Sequence, residues 1–226
     1  MKPTSNNIAG VILAGLWLTS ATVVRAATTA TLDFLQGTPG SELTIGNLVF
    51  YNFSLPAQTP FTVDLSHITV EAYQDAGTLD YGIRFDSADW HISGASASYD
   101  MTFGFNVRTD DGRALIEDDT LLITGSSNAG YFRVIEDITN TDGLLAHGDA
   151  YVDLPGSGTH NADHMTFAPQ SDISINKDFS MGTFTDPGGQ ETVSEISQIF
   201  SQVPESGSST LLMLGGLGLL ARRQRA

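Results

Sequence analysis

The sequence predicts an all-β protein: an antiparallel two-sheet β-sandwich, jelly-roll or Ig-like, of about eight to twelve strands. Three observations predict it. The first is strict alternation. In TLDYGIRFD, apolar Leu79, Tyr81, Ile83 and Phe85 alternate with Asp80, Gly82, Arg84 and Asp86. In YDMTFGFNVR, Tyr99, Met101, Phe103, Phe105 and Val107 alternate with Asp100, Thr102, Gly104, Asn106 and Arg108. Successive side chains of a strand point to opposite faces, so each segment buries one face and wets the other. The second is punctuation by turn-forming clusters: GTPGS, TDDGR, GSSNAG, NTDG, PGSG and DPGG. The third is that the body of the chain carries no long amphipathic helix.

The elements follow in order. Lys2 precedes an apolar stretch from Ile8 to Leu18, and Val24-Arg25-Ala26 places small residues at the −3 and −1 positions of a cleavage site between Ala26 and Ala27. That is the pattern of a secretory signal, and its apolar helix of about 11 residues is too short to span a bilayer. A single sandwich domain is expected over 27–202. Its further strands are expected at 31–35, 47–53, 68–73, 120–124, 131–136, 150–154, 165–167, 173–181 and 193–200, between the turn clusters. QETVSEISQIFSQ is also open to a helical reading, because Val193, Ile196, Ile199 and Phe200 fit a 3.6-residue period. The chain closes with VPESGSSTLLMLGGLGLLARRQRA, a small-residue spacer, an apolar run and a basic end.

Charge excludes one class of partner. The whole chain has a formal net charge of −16. Between the two terminal segments, Arg84, Arg108, Arg113, Arg133 and Lys177 face 25 acidic residues, a formal charge of −20. Such a field repels phosphate backbones and anionic lipid, so no nucleic-acid partner is expected. There is no cysteine, which removes disulfides, thiol catalysis and Cys-ligated zinc and leaves hydrophobic packing to hold the fold.

Val203, Pro204 and Glu205, the spacer after them, the apolar run and the final RRQR resemble a PEP-CTERM sorting signal, with Ser206 where that family usually has proline. The resemblance implies export by a Gram-negative bacterium that makes extracellular polysaccharide, with signal peptidase and an exosortase, a membrane transpeptidase-like enzyme, as partners. The run Leu211, Leu212, Leu214, Leu217, Leu219 and Leu220 is consistent with this. It spans roughly 17 Å as a helix against a ~30 Å hydrocarbon core, enough for a transient hold at the inner membrane. Arg222, Arg223 and Arg225 would stay cytoplasmic and keep the body outside. GNLVFYNFS, HITVEAY, DYGIRFDSADW, YDMTFGFNV and ISQIFSQVPE are similar to an exported domain that recurs in PEP-CTERM proteins. The resemblance implies a cell-envelope or extracellular protein with a structural or adhesive role in an exopolysaccharide or biofilm matrix, and no enzyme.

Chemistry-bearing clusters are few. In HNADH, His160 and His164 are four apart with Asp163 between, as in helical zinc sites. Asn161 stands where a metalloprotease has its Glu, and the preceding PGSG favours a loop or strand, so no metal site is assigned. GSSNA at 125–129 approaches a nucleophile elbow, but Ala129 replaces the last glycine and the flanks read as strands, which favours a hairpin turn. Asp110, Asp111, Glu117, Asp118 and Asp119 could flank one loop and hold a weak Ca²⁺ without EF-hand spacing. Among the aromatics, Tyr81 and Tyr99 share the apolar phase of their strands and are expected in the core. Tyr131, Tyr151 and above all Trp90, with His91, are candidates for an exposed sugar contact. A polysaccharide-acting hydrolase would need two carboxylates across a cleft, and the many Asp and Glu nominate no pair. A glycan- or Ca²⁺-binding module is the alternative to the matrix role.

Overall fold

The computed structural model describes residues 28–60, 62–110, 114–152 and 159–204. The signal segment with Ala26 and Ala27, Asp111, and all residues from Glu205 on, including the leucine run and its arginines, lie outside the described residues.

The described chain runs β1 (Thr29–Thr31), α1 (Leu32–Gly37), β2 (Glu42–Ile45), β3 (Leu48–Thr59), a 3-10 turn (Leu65–His67), β4 (Thr69–Gln74), β5 (Tyr81–Asp86) and β6 (His91–Ser93). It continues through β7 (Ser98–Thr109), β8 (Ala114–Ser127), β9 (Gly130–Asn140), β10 (Gly143–Val152), β11 (Thr159–His160) and β12 (Ala162–Gln170). It ends in β13 (Asp172–Thr183), β14 (Gln190–Phe200) and β15 (Gln202–Pro204). These form two antiparallel sheets. One has the order β1-β4-β5-β14-β8-β12, with β6 on β14 and β15 on β8, and the other the order β11-β10-β9-β13-β7-β3-β2. The all-β, two-sheet expectation holds, with more strands than expected and with most of the long ones extending beyond the expected bounds.

The core lies between the sheets, where aromatic rings lock one to the other. Phe85 of β5 meets Phe103 and Phe105 of β7 at 5.0 and 5.6 Å between ring centroids. Phe200 of β14 meets Phe50 of β3 at 5.9 Å. At the other end Trp90 packs on Phe179 at 5.3 Å. Fully buried rings of this size each remove large apolar areas from water, the term that replaces disulfides here. The hairpin from β2 to β3 turns on Gly46, whose φ of +59° favours glycine and whose missing Cβ leaves room for the Tyr81 ring.

Three elements differ from expectation, each for a local reason. The strand expected at 31–35 stops at Thr31, and α1 takes over because Leu32 and Leu35, three apart, both turn into the core. Leu79 leaves the apolar phase of its segment: Asp75 Oδ1 accepts the amides of Gly77 and Thr78, and the tight turn puts Leu79 at φ 68° and 66 % exposed. The helical alternative for the segment at 190–202 fails because β14 carries a bulge between Val193 and Glu195. The bulge inserts a three-residue step into a period-two strand, and that step resembles a helical period in the sequence. At the end of the sandwich, Val203 and Pro204 pair with Leu115 and Ala114, so the last strand runs two residues beyond the expected boundary.

The same alternation carries four polar side chains inward. Lys177 shares its phase with Ile173, Ile175 and Phe179, and Glu136 shares its own with Phe132, Val134 and Ile138. Gln198 lies between Ile196 and Phe200, and Asp119 is in phase with Leu121 and Ile123. All four are fully buried. Lys177 and Glu136 face each other directly across β13 and β9, and Nζ donates to Oε2. Gln198 Nε2 reaches across from the other sheet to Glu136 Oε2 at 2.7 Å and also donates to Asp119 Oδ2, on the neighbouring strand of its own sheet, at 2.6 Å. Burial pushes the Asp119 carboxyl well above the usual carboxylate range, and the adjacent Glu136 carboxylate pushes it further. A neutral Asp119 leaves one cation and one anion in the cluster, the arrangement a dry interior tolerates.

An acid whose pKa is higher folded than unfolded binds its proton more tightly in the fold. Its contribution to stability is therefore complete below its unfolded value of about 4 and is lost as pH rises through the folded value. Denaturant midpoints measured from pH 4 upward are expected to fall less steeply for Asp119→Asn than for the parent, because the variant removes the group that Glu136, Lys177 and Gln198 surround.

Candidate functional site

The outward face of the seven-stranded sheet carries rows of polar side chains aligned by strand register. It exists because β7 and β13 bury Phe103, Phe105, Val107, Ile173 and Ile175, which turns the intervening residues to solvent. Register then sets them in rows. Tyr51 of β3 stands opposite Asn106 of β7, Asn106 opposite Ser174 of β13, and Ser174 opposite Thr139 of β9. The next row runs Ser54, Gly104, Asn176, Asp137 and His147. Two rows further, Thr59, Asp100, Ser180 and Arg133 lead to Tyr151. From β3 to β10 the platform crosses five strands, about 19 Å at the usual ~4.8 Å spacing.

Tyr51 is the best-anchored aromatic on this face. Its hydroxyl donates to Asp172 Oδ2 at 2.7 Å and lies 2.8 Å from Oδ1. The Arg108 guanidinium carbon sits 4.7 Å from the ring centroid, and Arg108 Nη2 bonds Glu42 at 3.0 Å. Burial raises the Tyr51 phenol above its ordinary range, and the hydrogen bond to Asp172 adds to it. Two depressions flank this contact. One, of about 430 Å³, is lined by Asn106, Asn140, Asp142, Gln170, Asp172 and Ser174. The other, of about 440 Å³, is lined by Gln36, Thr38, Ser41, Glu42, Tyr51 and Arg108. Asn140 Nδ2 donates to Gln170 Oε1 at 3.1 Å. At the far end of the face Arg133 grips Asp149 with two bonds, 2.7 and 2.6 Å, and holds that carboxyl below the usual range. His147 contacts Asp137 at 2.7 Å. The chemistry available is that of neutral amides, hydroxyls, a clamped aromatic and paired carboxylates.

The residues singled out in the sequence are scattered. His160 lies on β11 against Tyr151, in the seven-stranded sheet, with Nε2 3.5 Å from Asp163. His164 lies on β12 in the other sheet, with Nδ1 2.9 Å from Thr120 Oγ1. Both are on strands, as the preceding turn suggested, and no group of three or more metal-ligating side chains forms among the described residues. GSSNA is the end of β8 and its turn into β9, where Asn128 Oδ1 accepts the amide of Gln190 at 2.7 Å.

The shared Ca²⁺ loop is not what the described acids build. Asp110 follows β7, while Glu117, Asp118 and Asp119 lie within β8; Asp119 points into the core and Asp118 accepts the Ser201 amide at 2.9 Å. Trp90 is 1 % exposed, so it is packing and not a sugar contact, while His91 beside it is exposed. Tyr99 is buried, with its hydroxyl on Gln58 Oε1 at 2.7 Å, and Tyr81 is half-buried against the core. Tyr131 and Tyr151 do lie on the outer face, in phase with Arg133 and with Asp149. Sequence reasoning missed Tyr51, Asn106, Arg108 and Asp172. Their signal was position in the polar phase of neighbouring strands, which becomes a site only when the strands are paired.

No family model matches the chain, and no curated protein does. Several solved structures overlap parts of it. The enzymatically active domain of bacteriophage CBA120 tailspike protein 4 is 13 % identical with a TM-score of 0.28, covering 66 % of this chain and 19 % of its own. A carbohydrate-binding module of the β-sandwich superfamily is 9 % identical with a TM-score of 0.28, covering 71 % and 58 %. The family 32 module of C. perfringens NanJ, in complex with galactose, is 15 % identical with a TM-score of 0.24, covering 60 % and 95 %. The matched part thus spans about a fifth of the first of these structures and somewhat over half of the second. Overlaps this loose say nothing about what this chain binds.

Asp172→Asn removes the charge that faces the Tyr51 hydroxyl. Ultraviolet titration of the phenols is expected to show one of the six tyrosines ionising at lower pH in the variant than in the parent. Superimposable curves would mean that Asp172 does not act on Tyr51.

Proposed function

We propose that this chain is an exported, non-catalytic β-sandwich that holds polysaccharide against the outer face of its seven-stranded sheet, in a structural or adhesive role in an extracellular matrix. The observation that carries the reading is the Tyr51 platform: an aromatic ring clamped by Asp172 and Arg108 between two open depressions lined with amides and hydroxyls. A sugar offers C–H faces to an aromatic ring and hydroxyls that both donate and accept, which suits Asn106, Asn140, Gln170 and Ser174. These side chains are set by strand register, so little ordering remains to be done on binding. The charge of −20 over the body favours a neutral polymer; an anionic one would need Ca²⁺ between the two surfaces.

Export rests on the two ends of the sequence. The last described strand ends at Pro204, so release by an exosortase just beyond Val203-Pro204-Glu205 would leave every described strand in the released body, with the basic tail behind at the inner membrane.

Two measurements test the proposal. Affinity electrophoresis or calorimetry with a neutral glucan, a neutral galactan and a polyuronate, each in chelator and in millimolar Ca²⁺, is expected to show binding that Tyr51→Ala weakens by about tenfold or more, or ~1.4 kcal/mol. Equal binding by a folded Tyr51→Ala protein, or none to any polymer in either condition, would overturn the glycan reading. Separately, the protein recovered from the native surface or medium is expected to begin near Ala27 and to end before Leu211. A persistent C-terminal tail would mean a membrane-held protein.

A further inference from the structure

The glycan reading makes no use of the enclosed polar cluster, whose composition is that of a reaction site with both reactants built in. Lys177 offers a primary amine and Glu136 a carboxyl. The two residues stand directly opposite on adjacent antiparallel strands, are fully buried, and touch through Nζ and Oε2. A third group, Gln198, donates to the same Glu136 oxygen that Lys177 touches, and through the same Nε2 it holds a fourth, Asp119 Oδ2, beside that oxygen from the opposite sheet. Three acceptor oxygens, Asp119 Oδ1, Glu136 Oε1 and Gln198 Oε1, have no donor. The rings of Phe103, Phe132 and Phe179 belong to the same dry core.

We infer that Lys177 and Glu136 condense into an intramolecular amide, a side-chain cross-link between β13 and β9, with Asp119 as the catalytic proton relay. The proton on Nζ first passes to the Glu136 carboxylate across their contact, turning an ion pair in a medium that disfavours charge into a neutral amine and a neutral acid. The Nζ lone pair then attacks Cδ. Negative charge develops on Oε1, while the Gln198 amide N–H already holds Oε2, the protonated oxygen that is to leave. Asp119, held beside Oε2 by the shared Gln198 donor, gives its proton to Oε2, which departs as water when its C–O bond breaks, and takes one from the nitrogen in return as the Oε1 carbonyl re-forms. One N–C bond forms, one C–O bond breaks, one water leaves, and Asp119 ends protonated as it began. No oxidant or cofactor enters. Proximity supplies what a bimolecular amide synthesis lacks, since both reactants are held by the ladder that pairs their backbones.

The product closes a loop between residues 41 apart in a chain without cysteine. It would hold together two strands of the sheet that carries the proposed binding face, in the way a disulfide constrains an unfolded chain.

The test is peptide mapping of the full-length chain as expressed and exported. Trypsin cuts after a free lysine, so cleavage after Lys177 is expected to be absent. A chymotryptic digest is expected to contain a branched pair of peptides, one carrying Glu136 and one Lys177, lighter than their sum by one water. Lys177→Arg is expected to give linear peptides only. Asp119→Asn, checked for its fold by circular dichroism, is expected to leave Lys177 cleavable.

Complete cleavage after Lys177 in the parent, with no branched peptide, would overturn the inference and leave an ordinary buried ion pair. A water loss that maps to Asp111-Gly112 or Asp142-Gly143, where a succinimide would produce it, would overturn it equally. A branched peptide that survives in Asp119→Asn would remove Asp119 from the chemistry. The parent protein alone decides whether the bond exists, so a variant that fails to fold does not blunt the test.

Discussion

Four polar side chains from four strands, two in each sheet, must meet in a space that admits no water, and this constraint fixes the rest of the sandwich. Glu136 and Lys177 enter from β9 and β13, Asp119 and Gln198 from β8 and β14. A slip of any of these strands by one residue would send its polar group to solvent and leave the others buried without partners. Losing one member of a buried charged set costs several kcal/mol, more than most single packing contacts contribute. The cluster therefore acts as a register pin that joins both sheets, where aromatic packing alone would tolerate more variation. The bulge in β14 is part of the same solution, because it brings Gln198 into the inward phase together with Ile196 and Phe200.

Once register is pinned, the outer face follows. Alternating with Phe105, Val107, Ile173 and Ile175 are Asn106, Arg108, Asp172 and Ser174, and they point outward because their neighbours point in. Tyr51 joins them because β3 pairs with β7 at Asn106. A rigid sheet can thus present an ordered polar surface without a loop to shape it. The ion pairs on this face, such as Arg133 with Asp149 and His147 with Asp137, are half-exposed and add little stability. Their effect is to quench charge locally on a strongly acidic protein.

Much of this was legible in the sequence wherever alternation was clean. Tyr99 to Val107 reads directly as β7, and Ile173 to Met181 as β13. Errors arose where a local device broke the period. Leu79 was drawn out of phase by the Asp75 turn, α1 used a three-residue spacing that five residues could not distinguish from a strand, and the β14 bulge imitated a helix. Trp90 sits in a sequence that reads as a loop, DSADWHISG, and only the approach of Phe179 from the other sheet buries it. The acids of EDD read as the flank of a loop, yet they lie within β8, at the point where it changes partner from β14 to β15.

By itself the sequence determined which residues can share a face, where the chain turns, the strong negative charge and the absence of disulfides. These are properties of short stretches and of composition, and alternation at period two expresses them without reference to any partner. Only the tertiary structure decided which faces meet. Glu136 and Lys177, or Tyr51 and Asp172, are far apart in the chain and become neighbours through ladder register and sheet order. Strand pairing is governed by long-range closure and by the packing of two sheets at once, and no local pattern records it.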